Sequence, residues 1–167
     1  MPNPSAELCL LMALARPMPS ERHLAFARSR LAVTFDWARL HRLAVRNNLV
    51  PLLHERIVSL DWPEVPADFR AALAEQARAV RWTGMLLLSR QTLLVERVLR
   101  PLGKRCALLK GITLGQRHYG NPFLRHAQDI DVLVAPDGLL DAACALRAQG
   151  WVVVNSDWHD HPLDVFA

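Results

Sequence analysis

The apolar residues keep a helical spacing through roughly the first hundred positions, then abandon it after Gly103. That change of period forces two kinds of structure into one chain. Ser5–Arg16 predicts a short amphipathic helix closed by Pro17 and Pro19, and Ser20–Arg30 predicts a second. Asp36 is placed to cap a third, with Trp37, Leu40, Leu43 and Ala44 at helical spacing and Asn47-Asn48 ending it. Leu52–Leu60 continues the pattern, and Pro63 and Pro66 make a loop. Ala67–Leu99 predicts one long helix stopped by Pro101 and Gly103, with Gly84 its internal weak point. Its apolar positions drift around the surface, as in a helix that packs on several partners. The tryptophans, Trp62 and Trp82 among them, fall at core-like positions.

Beyond Gly103, Cys106–Leu109 reads as a strand and Ile112–Tyr119 as a helix closed by Gly120. Asn121-Pro122 forces a turn, and Asp129–Val134 reads as the second strand. A helix from Pro136 to Gly150 has proline first and glycine last, as helices prefer, and Trp151–Asn155 reads as a third strand. The expected class is α+β: a helical region, 1–102, followed by a small β-α-β-α-β core, 103–167.

Two carboxylates inside that core speak to chemistry. Asp129 and Asp131 lie one residue apart at the head of the apolar run Ile130–Val134, and strand alternation puts both on one face. Two acids on one face repel unless a cation lies between them. A hard divalent cation such as Mg²⁺, carrying a phosphate, suits carboxylate oxygens. The alternative is a capping Asp129 and a surface Asp131 on an edge strand. The apolar run Val132–Val134 argues for a strand covered on both faces instead.

Composition narrows the setting. Half of the 167 residues are hydrophobic, enough for a packed core, and no apolar run is long enough to cross a bilayer. Met1–Glu7 contains no Lys or Arg, which argues against a signal peptide, so a cytoplasmic protein without a membrane partner is expected. Cys9, Cys106 and Cys144 are odd in number and far apart, fitting buried reduced thiols rather than a disulfide frame or a zinc site. Residues 1–100 carry 14 Arg against 9 acids, and residues 101–167 carry 6 Lys or Arg against 7 acids. Nucleic-acid binding by the basic half stays open, but arginines at helical spacing without interleaved aromatics read better as a solvated face.

Lys110-Gly111 follows a strand and opens a helix, a geometry that points backbone N–H groups at a phosphate, although a plain structural turn has the same pattern. It is not the glycine-rich loop of P-loop enzymes. The segment Leu108-Leu-Lys-Gly-Ile-Thr-Leu114, then His118-Tyr119, Arg125 and Asp129-Ile-Asp-Val-Leu-Val134, resembles the polymerase-β-type nucleotidyltransferases. It most resembles the bacterial nucleotidyltransferase-like proteins that carry an LKG turn, then Tyr, then Arg shortly before DIDLLV. The resemblance covers about residues 103–155, and the first half is similar only in general character.

The resemblance implies a mixed-sheet polymerase-β-like core in which Asp129 and Asp131 hold Mg²⁺. It also implies a nucleoside triphosphate bound by Lys110, Gly111, Thr113 and Arg125. The implied activity moves a nucleoside monophosphate, ATP-derived or other, to a hydroxyl on a small molecule, protein or RNA, releasing pyrophosphate. Such enzymes use a third catalytic carboxylate on a later strand, for which Asp164 has apolar flanks near the end of the chain. They usually place Gly-Ser where this chain has Lys-Gly, leaving the serine's phosphate contact to another residue such as Thr113. Without the third acid the resemblance leaves a non-catalytic nucleotide-binding or antitoxin-like regulatory relative. His159 and His161, with Asp157 and Asp160, make a rival transition-metal cluster, although short His/Asp loops are more often plain polar loops. His126 is better read as a loop histidine than as a substrate contact.

Overall fold

The computed structural model describes residues 4–31 and 35–152. The first three helices begin where side-chain oxygens take orphan N–H groups. The Ser5 hydroxyl accepts from Leu8 N–H at the head of α1 (Ala6–Leu14), and Ser20 caps α2 (Glu21–Arg28). Asp36 caps α3 (Trp37–Arg46) by accepting from Arg39 N–H at 2.8 Å. Helix α4 (Val50–Leu60) carries proline in its first turn and ends on a left-handed Asp61. Then come α5 (Ala67–Leu94), a π-helical turn (Val95–Leu99), β1 (Cys106–Leu109), α6 (Gly111–Tyr119) and β2 (Asp131–Val134). A 3₁₀ turn at Pro136–Gly138 leads into α7 (Leu139–Ala148).

The chain divides into two compact units, Met1–Leu87 with Lys110–Asp129 and Leu88–Leu109 with Ile130–Ala167. In the first, Leu10, Leu14, Leu40, Leu53 and Leu73 are fully buried in one core built by α1, α3, α4 and α5. Phe35, Trp37 and Phe69 pack as tilted rings along its edge, with ring centroids 4.7 and 5.0 Å apart. Helix α6 is tied to α1 where Tyr119 donates its hydroxyl to the Ala15 carbonyl at 3.3 Å.

In the second unit β1 and β2 pair antiparallel, with Cys106 opposite Val134 and Leu109 opposite Asp131. Cys106, Leu108 and Val132 turn one face of this ribbon onto Leu94, Val98, Leu99 and Leu146. Lys104 closes the unit's edge by pairing with Asp137 at 3.0 Å.

The α+β class is as expected, and the helices fall close to their anticipated places. Several expectations need correction. The sheet among the described residues is two antiparallel strands, so the mixed sheet is not seen there. The long helix ends at Leu94, and Val95–Leu99 continues as π-helix rather than α-helix. Strand β2 begins at Asp131 rather than Asp129, and among the described residues only one of its faces is covered: Leu133 is 59% exposed. A two-stranded ribbon lying on a single helical layer leaves its other face open. Trp62 is buried as anticipated, but Trp82 is 63% exposed, because a helix with drifting apolar positions cannot cover them all. Cys9 and Cys106 are half-buried and Cys144 is exposed, rather than buried, and all three are free of disulfides. Trp151 and Val152 lie outside any strand, and the rest of the anticipated third strand lies outside the described residues. No helix among the described residues is long and apolar enough to cross a membrane.

Candidate functional site

Strand β1 ends at Leu109, and the chain turns at once into α6 through two residues of positive φ. Lys110 has φ 53° and ψ −152°, and Gly111 has φ 46°. The region that Lys110 occupies is close to one reserved for glycine, and a side chain held there costs about 1–3 kcal/mol. Strain of this kind persists only where the surroundings over-determine it.

The surroundings are the segment leading to the first acid. A Cβ on Gly111 would stand 3.3 Å from Ala127 Cβ and 3.7 Å from the Asp129 carbonyl oxygen. The turn therefore rests against the backbone of residues 127–129. The N-cap residue Lys110 makes no side-chain hydrogen bond that caps α6. Thr113, in the first turn, has a buried hydroxyl without a hydrogen-bond partner among the described residues. Uncapped amides at the positive end of a helix attract an anion.

Asp129 is exposed and sits at a bend ahead of the strand, so strand alternation governs Asp131 but not Asp129. Asp131 is half-buried and opposite Leu109, on the same ribbon face as Ala107 and Leu133. That is the open face, reachable by a ligand, whereas Ile130 and Val132 on either side of it pack inward. Arg125 is exposed in the loop after α6, with no carboxylate within ion-pair distance among the described residues. Asp164 and the His159/His161 cluster lie outside the described residues. Among the described residues no group of three or more His, Cys, Asp or Glu converges as a metal cluster.

Other residues hold this loop, and of these Gly115 and Phe123 were not singled out by the sequence. Gly115 lets the Pro122 carbonyl come within 2.7 Å of where its Cβ would be. His126 shares a hydrogen bond with Asn48 Oδ1 at 3.0 Å, a structural role that agrees with its reading as a loop histidine. The Phe123 ring lies over Gly84 of α5. The one available signal was the glycine in the middle of each helix, which is costly unless something approaches closely.

A family model described as an uncharacterised nucleotidyltransferase matches residues 34–165. No curated protein and no solved structure matches the chain.

Proposed function

The chain belongs to this nucleotidyltransferase family, and from that premise we propose that it transfers a nucleoside monophosphate from a nucleoside triphosphate to a hydroxyl acceptor. The observation that carries the reading is the strained Lys110-Gly111 turn, which opens uncapped α6 against the backbone of Asp129. The turn's amides and the Lys110 ammonium hold the β- and γ-phosphates, and Thr113 supplies a hydroxyl that lacks another partner among the described residues. Arg125 reaches the same anion as a planar, permanently charged donor.

The donor set fits Mg²⁺. Asp129 and Asp131 are hard oxygen ligands separated by one residue, and Mg²⁺ is commonly held by only one or two carboxylates, with phosphates and water completing its shell. Bound there, Mg²⁺ would neutralise charge developing on the phosphate oxygens. The reaction forms a bond from the acceptor oxygen to the α-phosphorus and breaks the bond from that phosphorus to the bridging oxygen of the β-phosphate. Pyrophosphate departs with the electron pair. The acceptor's proton passes to a carboxylate base, the role for which Asp164 is the candidate. The acceptor is a small molecule, a protein or an RNA.

The test supplies each α-labelled nucleoside triphosphate with Mg²⁺ and offers small-molecule, protein and RNA fractions as acceptors. Native protein and an Asp129→Ala plus Asp131→Ala variant are compared. Label transferred by the native protein and lost in the variant supports the reading. Equal transfer by both proteins overturns it. Nucleotide binding without transfer by the native protein supports the regulatory relative instead.

A further inference from the structure

The first unit contains a cleft that the nucleotide chemistry does not use. Helices α4 and α5 and the loop after α6 enclose about 270 Å³. Spacing explains the walls. His54 and Glu55 project from one face of α4, and Ala74, Ala77, Arg78 and Arg81 recur at i, i+3, i+4 and i+7 on one face of α5. The two alanines leave room that larger side chains would fill. The third wall is Phe123, seated over Gly84, its ring Cδ1 3.1 Å from the point where a Cβ on that glycine would stand. The Arg81 guanidinium lies 5.7 Å from that ring's centroid.

The charge in the cleft is unbalanced. Arg78 and Arg81 are three residues apart on one helix, where like charges repel. Neither has a carboxylate within ion-pair distance among the described residues, and Glu55, the one acid in the lining, forms no ion pair there. Asn121 accepts the Phe123 N–H through Oδ1 at 3.0 Å, which leaves its amide nitrogen to donate. Two guanidiniums, an amide and an imidazole thus surround an apolar floor with a flat aromatic wall.

We propose that this cleft binds a small one-ring organic anion, an aryl carboxylate or aryl phosphate, with the anion between Arg78 and Arg81 and the ring against Phe123. Guanidinium forks match both acids in bidentate geometry. The volume equals that of about nine waters and falls just below the usual range for larger ligands, so it suits one ring rather than a whole nucleotide. The site is independent of nucleotidyl transfer.

The test is calorimetric titration of the full chain with benzoate, phenyl phosphate, inorganic phosphate and benzyl alcohol. One of the two aryl anions is expected to bind at least about tenfold more tightly than inorganic phosphate or the alcohol. Whichever aryl anion binds more tightly identifies the acid recognised. Arg78→Gln plus Arg81→Gln, both exposed positions, is expected to weaken that binding about tenfold or more, and Phe123→Leu to weaken it while leaving inorganic phosphate unaffected. Asp129→Ala plus Asp131→Ala is expected to bind the aryl anion as the native protein does. Absence of saturable binding by both aryl anions, or equal binding by the double arginine variant, overturns the proposal.

Discussion

The carbonyl oxygen of Pro122 stands 2.7 Å from the point where a Cβ on Gly115 would be, and the carbonyl carbon stands 3.1 Å from it. The obstacle is backbone, which cannot swing aside as a side chain can. Helix α6 and the loop that follows it are locked together at this point.

Gly115→Ala therefore reverses the usual helix rule. In an open helix interior the change would stabilise by about 0.8–1 kcal/mol. Here it is expected to destabilise by roughly 1–3 kcal/mol through overpacking. Urea unfolding measures the difference, and a stabilised variant would show that the loop is free to move.

Gly84 is the contrasting case, because its obstacle at 3.1 Å is the ring of Phe123. Gly84→Ala should gain helix propensity and lose ring packing, with little net change. In a Phe123→Ala background the same substitution should stabilise by about 0.8–1 kcal/mol. The double-mutant cycle reads the coupling between the two residues directly. Additive effects would mean the ring does not rest on the helix.

Lys110 separates backbone strain from side-chain chemistry. Lys110→Ala removes the ammonium but keeps a Cβ at positive φ, whereas Lys110→Gly removes the ammonium and relieves the strain of that φ. The glycine variant should be more stable than the alanine variant by about 1–3 kcal/mol. If Lys110 holds phosphate, both should bind nucleoside triphosphate more weakly than the native protein. Equal stability of the two variants would remove the argument from strain.

Glu7 is 6% exposed and joins α1 to the start of α3. Burial pushes its carboxyl up. Its own backbone N–H, the Ser5 hydroxyl, the Asp36 N–H at 3.3 Å and the Arg39 guanidinium outweigh that effect, so its pKa lies below the usual carboxylate value. A carboxyl depressed by folding contributes stability that is present above its unfolded pKa and lost as pH falls through the folded value. Stability should thus decline on acidification below the ordinary glutamate range, and Glu7→Gln should flatten that part of the profile. Unfolding midpoints against pH, compared between the two proteins, check it.

The sequence exposed what local chemistry decides. Asp36 as a cap, Asn47-Asn48 as a helix end and Gly120 as a closing glycine each follow from one residue's conformational preference, and each is found. The strand Cys106–Leu109 was legible because its apolar run is short and bounded by Gly103 and Gly111. Asp129's place outside the strand was not legible, since strand edges depend on pairing partners and Asp131 is the last residue with one in β1. Nor was the open face of β2. Its residues Val132–Val134 look alike in sequence, and only the antiparallel register shows which of them turn toward Leu94 and Val98. The positive φ of Lys110 has no sequence signal, because lysine does not favour that conformation.

Equilibrium binding of a non-hydrolysable nucleoside triphosphate, with and without Mg²⁺, tests the account most directly because it needs no knowledge of the acceptor. Binding should require Mg²⁺ and fall at least about tenfold in both the Asp129→Ala plus Asp131→Ala variant and Lys110→Ala. Metal-independent binding, or native affinity in those variants, would contradict the assignment of the acid pair and the turn to nucleotide.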